Sequence, residues 1–411
     1  MPLLILLAGM LSGVCLPARS QEPALDADTA AAMAVQRNLS LLARQLDVAA
    51  RERARSSRWN LLVPTLSAGA SLAQTYPASA GLGVGLEASL GLSAASSYRM
   101  RDAVLAYEAG FLDLQTARRQ LERDVRISFY SLIVGRRRAE LAEQSIETSQ
   151  RRLEIARQNF ELGRVSELDL LNVQVALENL RPALAQARLD YQIEEMRFKD
   201  FLGLDAAREI TLAGSLEPAS GQAGLDGLLR LADGSPQIQA FLRQRLILSN
   251  QKKLAVTEEF APVLSLSYSY DPVESWSAHS FRLGLAVPLD SWIPRSQGRL
   301  RVKEIEDSLA RLELELASAR RQLEIQVRSL ALGLSKSQTG MEAGQKNVEL
   351  AGKAYELAER EYRAGLVDLL TVLEAYDRLQ EAQLDRLAES FSYQVGLLNL
   401  AFLLDIAPTD W

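Results

Sequence analysis

The chain has 411 residues, of which 48% are hydrophobic and 24% charged, and its formal net charge is −6. This length can bury a large core, whereas the negative charge argues against nucleic acid as a partner. One histidine and one cysteine are too few for a catalytic constellation or a metal cluster, so we expect neither an enzyme nor a cofactor.

The first twenty residues have the features of an export signal. An apolar run from Leu3 to Leu11 leads to Ala18-Arg-Ser20, a small-x-small pattern, which predicts a signal peptide over 1–20. Lipidation of Cys15 stays open as an alternative, although Val14 stands where a lipoprotein signal has a small residue. Cleavage after Ser20 would leave a mature chain without cysteine and therefore without disulfides. No later stretch supplies the roughly 20 apolar residues of a membrane helix, so any membrane role must use strands.

The segment 21–205 is predicted to combine helices with a strand hairpin. An amphipathic helix at about Asp26–Asn60 precedes two stretches, Thr65–Ala73 and Leu82–Ser93, in which apolar residues alternate with small or polar ones. Because a period of two is typical of strands, we expect a membrane strand hairpin over about 65–93. The stretches Ser97–Phe160 and Ser166–Leu202 then predict a long helical hairpin over about 97–202.

The same order returns over 235–411, after a segment rich in Gly, Ala and Ser at 206–234 that we interpret as an irregular linker. A helix at Ser235–Glu259 precedes a second predicted strand hairpin over about 263–289. A second long helical hairpin is predicted over about 297–404. The first helix of each hairpin would be about 95 to 100 Å long, which exceeds any ordinary globular domain.

The two halves are related by a fixed shift of 202 residues. Ala117–Arg126 and Ala319–Arg328 have nearly identical sequences, and Gly163 at the first helical turn corresponds to Gly365 at the second. Both long helices also carry a heptad seam, with one stutter in the second. The seam residues are Leu132, Ala139, Ile146, Leu153 and Phe160 in the first helix, and Leu309, Leu316, Leu323, Leu330, Leu334, Met341, Val348, Tyr355 and Tyr362 in the second. The chain is therefore a tandem duplication.

Four membrane-type strands cannot close a barrel, because the smallest known barrels have eight strands. The open edges must pair with other chains, so that two chains would give eight strands and three would give twelve. Ser, Gly and Ala on the faces opposite the apolar residues suit an open lumen, which favours three chains. The predicted fold class is an α+β membrane protein built from two repeats of a strand hairpin and a coiled-coil helical hairpin.

These features together resemble the TolC family of outer-membrane efflux proteins over essentially the whole mature chain. The similarity rests on the duplicated order of elements, on Asn38-Leu-Ser-Leu, and on the motifs Phe160-x-x-Gly-x-Val-Ser-x-x-Asp169-Leu-Leu and Tyr362-x-x-Gly-x-Val-Asp-Leu-Leu-Thr-Val-Leu-Glu374-Ala. The resemblance implies a homotrimer with a 12-stranded β-barrel in the outer-membrane lipid and a 12-helix α-barrel in the periplasm. It implies an exit duct for efflux or type I secretion, whose partners are a periplasmic adaptor and an inner-membrane pump.

The resemblance also implies two kinds of functional residue. The adaptor docking tips would be Gly163, Arg164, Val165 and Ser166 in the first hairpin, and Gly365, Leu366, Val367 and Asp368 in the second. The channel gate would use Asp169, Glu374 and Tyr362, although Val367 and Thr371 depart from the residues of the best-known member.

Simpler interpretations of these residues stay open. Asp169 could complete a helix capping box with Ser166, Asp368 could be a cap, and Glu374 could lie on a solvated helix face. Trp59 and Trp292 could form an aromatic belt or pack in a core, and His279 is expected to be exposed in a loop or at a strand start. The alternative function is a pore-less periplasmic coiled-coil scaffold.

Overall fold

The computed structural model describes residues 24–75, 79–216, 225–270, 279–289 and 292–406. The predicted signal peptide, including Cys15 and Ser20, lies outside the described residues. The helices are α1 (Ala27–Arg37), α2 (Leu39–Ser56), α3 (Ala95–Glu161), α4 (Glu167–Phe201), α5 (Leu225–Leu231), α6 (Pro236–Phe260), α7 (Gln297–Arg363) and α8 (Leu369–Leu404). The strands are β1 (Thr65–Thr75), β2 (Ser79–Ser93), β3 (Val263–Tyr270) and β4 (His279–Ala286).

The prediction of one helix at Asp26–Asn60 was wrong, because Asn38 divides it. Asn38 has extended backbone angles (φ −64°, ψ 120°), and its side-chain oxygen accepts the N–H of Leu41 at 3.2 Å as the N-cap of α2. Its side-chain amide also donates to the carbonyl of Phe201 at 3.3 Å. Asn38 thus favours a cap over a helix interior and ties the break to the end of α4.

The linker 206–234 is less irregular than expected. It contains α5 and a short 3-10 helix, and in its first part Leu212 forms a parallel bridge with Leu25. The N–H of Leu25 donates to the carbonyl of Thr211 at 2.8 Å, and the N–H of Ala213 donates to the carbonyl of Leu25 at 2.9 Å. The start of the described chain is therefore held against the junction between the repeats.

The four strands form one antiparallel sheet in the order β1-β2-β3-β4. The register aligns apolar residues with one another, as in the pairs Leu90–Leu266 and Leu266–Leu283, and aligns Ser89 with Ser267 on the other face. The sheet therefore has one apolar and one polar face. Over the described residues, strands β3 and β4 have eight residues each, β1 has 11 and β2 has 15.

The long helices lie side by side in the order α4, α3, α8, α7. Helix α3 packs against α4 and α8, and α7 packs against α8, so α4 and α7 are the two edge helices. Both α3 and α7 have 67 residues, which corresponds to about 100 Å at 1.5 Å per residue. Helix α6 packs across α3 and α7 and thereby joins the two repeats near the sheet.

The heptad seam of α7 faces inward as predicted, since none of its nine residues is exposed. Leu312, Leu316, Ala319, Leu323 and Val327 are buried, at steps of four, three, four and four residues. The second consecutive step of four, from Leu323 to Val327, interrupts the heptad alternation of three and four. In α3 the seam departs from the prediction at Phe160, which is 40% exposed.

The hydrophobic cores of the two repeats contain residues at equivalent positions. These pairs are Val125 and Val327, Phe198 and Leu400, and Leu202 and Leu404.

Contrary to the expectation that no stretch after the signal peptide is apolar enough, one described helix, α8, is by length and composition apolar enough to cross a membrane. Its apolar second half is nevertheless used for packing. Tyr393, Leu397, Leu400 and Leu404 are buried, the last two in the core shared with α6 and α7. The composition of α8 therefore reflects contact with neighbouring helices on several sides.

Candidate functional site

Both helical hairpins turn through the same backbone conformation. Gly163 and Gly365 have φ of +69° and +73°, the left-handed region that glycine adopts without steric cost. The N–H of Arg164 donates to the carbonyl of Asn159 at 2.8 Å, and the N–H of Leu366 donates to the carbonyl of Glu361 at 2.9 Å. These are Schellman turns, which satisfy the last carbonyls of α3 and α7.

The helices that follow the turns begin with capping side chains, as expected. Ser166 Oγ accepts the N–H of Asp169 at 3.1 Å, and a carboxylate oxygen of Asp169 accepts the N–H of Ser166 at 3.1 Å, which completes a capping box. Asp368 accepts the N–H of Thr371 at 2.9 Å. Hydrogen bonds from the Thr371 hydroxyl and backbone hold the pKa of Asp368 below its ordinary value. Both tips are thus fixed on each side of the turn.

The tips expose leucines. Leu162 and Leu168 flank the first turn, Leu366 lies in the second, and Leu370 follows it in the first turn of α8, with exposed fractions between 59% and 75%. Arg164 is exposed beside them, and Val165 and Val367 are half-buried. Clustered exposed apolar residues on a rigid turn indicate a protein contact surface.

The three predicted gate residues lie in different surroundings. Tyr362 is half-buried and packs on a cluster at the base of the tips that contains Leu153, Ala156, Val173, Leu177 and Leu369. Glu374 is exposed, with its carboxylate 3.8 Å from the Arg378 guanidinium, and Asp169 is held by Ser166. Among the described residues, no hydrogen bond or ion pair joins Asp169, Tyr362 and Glu374. A gate made of these residues would therefore depend on contacts between several copies of the chain.

Sequence reasoning missed a buried arginine in the tip half of the helices. Arg152 of α3 is 8% exposed, and its guanidinium carbon lies 4.2 Å from the ring centroid of Tyr376 and 5.3 Å from that of Tyr355. Partial burial raises the pKa of the neighbouring Asp377, an effect that the charge of Arg152 opposes and that of Glu374 reinforces. Arg152 lies three residues after Ser149 and four before Ala156, both of which are buried. This spacing places Arg152 on the inward-facing side of α3, and it is the signal that could have revealed the buried arginine.

Aromatic residues mark both ends of the sheet. Trp59 precedes β1 and Trp292 follows β4, with exposed fractions of 57% and 61%, so neither belongs to a core within the chain. At the far end His279 is the first residue of β4, where it stacks on Tyr270 at 4.7 Å, and its Nδ1 lies 2.7 Å from the hydroxyl of Tyr268. His279 is exposed, as expected, but it belongs to a strand. The arrangement fits two aromatic girdles.

Membrane-type strands joined to helices about 100 Å long define a class of envelope-spanning proteins. The family model of the outer membrane efflux protein matches residues 30–204 and 234–404. The chain belongs to the outer membrane efflux protein family. It is therefore an outer-membrane channel protein that extends into the periplasm, not an enzyme, and the scaffold alternative is not supported.

Solved structures of other channels share the fold. The CmeC outer membrane channel of Campylobacter jejuni superposes with a TM-score of 0.81 at 15% identity, over 92% of this chain and 85% of CmeC. VceC of Vibrio cholerae gives 0.76 at 14% identity, over 92% and 95% of the two chains. The open state of MtrE of Neisseria gonorrhoeae gives 0.76 at 15% identity, over 92% and 89%. No curated protein sequence matches the chain.

Proposed function

We propose that this protein is the exit duct of a tripartite efflux or type I secretion system. Three copies would enclose a passive channel, which opens when a periplasmic adaptor and an inner-membrane pump dock on the helical tips. The observation that carries this proposal is that, among the described residues, the sheet and the helical layer each end in two unpartnered edges. Edges of this kind pair head to tail, and they form a closed ring when the rotation between successive copies closes.

The sheet has the properties of one third of a membrane barrel. Its apolar face is uncovered, as Leu66, Phe281, Leu283 and Leu285 illustrate with exposed fractions of 65% or more. Its polar face carries Ser and Gly, as in the pairs Gly69–Gly85 and Ser269–Ser280. Pairing of β4 with β1 of the next chain would satisfy the edge hydrogen bonds that lipid cannot. Three chains would supply twelve strands around a lumen lined by small residues.

The edge helices carry matching apolar stripes. On α4 the exposed residues Leu168, Val175, Leu189 and Met196 recur at multiples of seven, and on α7 the exposed residues are Leu314, Ile325, Leu332, Leu350 and Leu357. These intervals return to one side of a helix. Each stripe lies on the side of the helix that faces away from the other long helix of its own hairpin. The opposite side of each helix is packed, as buried Leu177 of α4 and buried Leu323 of α7 show. A second copy of the chain would cover both stripes.

The internal repeat supports the same pairing. Ile325 of α7 corresponds to Arg123 of α3 at the shift of 202, and Arg123 stacks on Phe402 of α8 at 4.3 Å. Met196 of α4 corresponds to Leu398 of α8, which is 5% exposed. The contact of α3 with α8 inside one chain is thus a template for the contact of α7 with α4 of the next chain.

The tips and the carboxylates above them would form the regulated end of the duct. We propose that the turns Gly163–Ser166 and Gly365–Asp368 bind the adaptor, together with the exposed leucines Leu162 and Leu366, because an apolar contact on a rigid turn needs little ordering. Asp169 and Glu374 would form acidic rings in the trimer, and Tyr362 would pack the tips together. Three copies of each carboxylate around a narrow pore would favour cations.

The proposal is tested on the purified protein in mild detergent. It should migrate as a trimer on unheated gels and as a monomer after heating, and it should produce ion conductance when added to planar lipid bilayers. A monodisperse, water-soluble monomer without conductance would overturn the proposal.

A further inference from the structure

A groove lies on the periplasmic side of the sheet in the first repeat. Its volume is about 470 Å³, and it lies between the turn that follows α2, the first part of α3 and the middle of α6. Trp59, whose side chain is 57% exposed, lines the groove six residues before β1 begins at Thr65. Arg101 lines it about 9 Å along α3 from Ala95, where that helix begins. The groove is therefore next to the membrane boundary that the strands define.

The surface of the groove is apolar apart from a few charged side chains. Met100 and Val104 of α3 and Leu246 of α6 supply apolar surface, and Leu246 is 46% exposed. Arg58 and Arg101 lie beside these residues. Two cations on an apolar surface are complementary to a molecule that is anionic at one end and apolar at the other.

The positive charge of the groove is not neutralised by its own carboxylate. Glu108, the carboxylate among the lining residues, pairs with Arg243 of α6. Arg58 donates one N–H to the carbonyl of Arg55 at 3.1 Å, and in the part of the chain that the structure describes neither Arg58 nor Arg101 forms an ion pair. Because a guanidinium has five N–H donors, both arginines retain donors for an anion.

The equivalent place in the second repeat has a different charge balance. At the shift of 202, Arg101 corresponds to Lys303 and Val104 corresponds to Glu306. The Nζ of Lys303 lies 3.7 Å from a carboxylate oxygen of Glu306 and 3.3 Å from one of Asp307. The second repeat thus has a paired cation where the first has a cation on apolar surface, so the duplication alone does not account for the groove.

The groove lies on the same side of α3 as the linker between the repeats. Val104 and Ile133 are 29 residues apart, which is about eight helical turns. Leu212 and Leu216 of the linker pack on the cluster that contains Ile133 and Phe129. In the ring of the proposed function, on which this step rests, a connection between repeats lies outside the lumen. The groove therefore opens on the outer surface of the ring, where the membrane is.

We propose that the groove binds an anionic phospholipid of the periplasmic leaflet of the outer membrane. Arg58 and Arg101 donate to the oxygens of the phosphodiester, an anion that suits the forked guanidinium. Trp59 packs on the glycerol region at the edge of the hydrocarbon, where tryptophan is enriched in membrane proteins. The apolar surface of the groove excludes water from the phosphate contacts and so strengthens them. The lipid fixes the position of each chain relative to the membrane.

The first test titrates the detergent-purified protein, freed of lipid, with phosphatidylglycerol and measures bound lipid by native mass spectrometry. Arg58→Gln with Arg101→Gln should weaken binding of the tightest lipid by roughly tenfold or more, because both phosphate contacts are lost. Arg53→Gln with Lys303→Gln removes the same charge from exposed positions outside the groove and should leave binding unchanged. Zwitterionic phosphatidylcholine should bind more weakly than phosphatidylglycerol.

Three results of this titration would overturn the proposal. The first is unchanged phosphatidylglycerol binding in the variant with both groove arginines replaced. The second is an equal loss in the two double variants, which would mean that lipid responds to the overall charge of the protein. The third is displacement of the lipid by millimolar inorganic phosphate, which would mean that the arginines form a site for free anions.

The second test keeps both arginines and changes the surface beside them. Val104→Glu places a carboxylate three residues after Arg101, as Glu306 lies three residues after Lys303, and should weaken phosphatidylglycerol binding as strongly as loss of the arginines. Val104→Gln has nearly the same size without the charge and should keep most of the binding. Unheated gels verify that each variant is folded and assembled. Unchanged binding by Val104→Glu, or an equal loss in Val104→Gln, would overturn the proposal.

The groove and the proposed duct fail in different ways. If unheated gels show a monomer and planar bilayers show no conductance, the proposed function fails. Because the groove lies within one chain, lipid binding by that monomer still tests the groove.

Discussion

Gly163 and Gly365, 202 residues apart, adopt the same left-handed conformation, with φ of +69° and +73°. The N–H of each donates to the carbonyl three residues earlier, Phe160 at 2.9 Å and Tyr362 at 3.0 Å. Nothing lies within 4 Å of where a Cβ would be at either position, so glycine is required by backbone conformation and not by space. The duplication has therefore preserved a turn geometry while the flanking residues changed.

Gly365→Val should distort the second tip without disassembling the protein. A non-glycine residue in this region costs about 1–2 kcal/mol, and a β-branched residue costs more, so the turn should rearrange locally. We expect the trimer to persist on unheated gels while export and cross-linking to the adaptor are lost. Gly333→Ala in the middle of α7, where nothing lies within 4 Å, is the control and should keep both activities. Normal export by Gly365→Val would remove this tip from the mechanism.

Substitution by alanine at two glycines of α7 should have different effects on thermal stability. At Gly344 a Cβ would lie 3.3 Å from the Cα of Arg386, so α7 and α8 would have to separate, whereas Gly333 is open. Alanine gains about 1 kcal/mol of helix propensity at both sites, but forced overpacking typically costs about 1–3 kcal/mol. Gly333→Ala should therefore raise the thermal unfolding midpoint, and Gly344→Ala should leave it unchanged or lower it. A higher midpoint for Gly344→Ala would show that the helices are not closely packed there.

The apolar stripes on α4 and α7 predict that charged substitutions there weaken the trimer. Ile325→Glu on α7 and Met196→Glu on α4 should each weaken the trimer, because burial of an unpaired charge between chains is unfavourable. Gln326→Glu adds the same charge at the neighbouring exposed position and should assemble normally. Combining Ile325→Glu with Met196→Lys should recover part of the trimer on unheated gels. Unimpaired assembly of both single variants would mean that other faces form the contact.

Much of this architecture could be predicted from the sequence, because it depends on periodicity. The alternation from Leu82 to Ser93 separates the two faces of a strand, and the seam from Leu309 to Tyr362 records which side of α7 meets its neighbours. Asn38 was missed because tertiary contact with Phe201 decides between helix and cap. Arg152 was missed because its partners, Tyr355 and Tyr376, lie more than 200 residues away, and a period in one helix does not specify what faces it.

The capping box changes what can be expected of Asp169. Its carboxylate accepts hydrogen bonds from the backbone and hydroxyl of Ser166, at 3.1 and 2.7 Å, so the cap and the gate functions share one side chain. Asparagine retains an acceptor for the cap but removes the charge. Glu374 has only the loose contact with Arg378 at 3.8 Å, and Glu374→Gln should leave the helix intact.

The double variant Asp169→Asn with Glu374→Gln should therefore lower cation selectivity and weaken block by polyvalent cations, while the trimer stays assembled. The reason is that rings of three carboxylates concentrate negative potential where the pore is narrow, and neutral amides do not. Glu324→Gln is the matched control, since Glu324 also pairs with an arginine one turn away, at 2.7 Å, but lies far from the tip. The measurements are the reversal potential in a salt gradient and the concentration of trivalent cation that halves the conductance in planar bilayers. If both quantities are unchanged in the double variant, these carboxylates act as caps and solvated surface, and selectivity must arise at other residues of the duct.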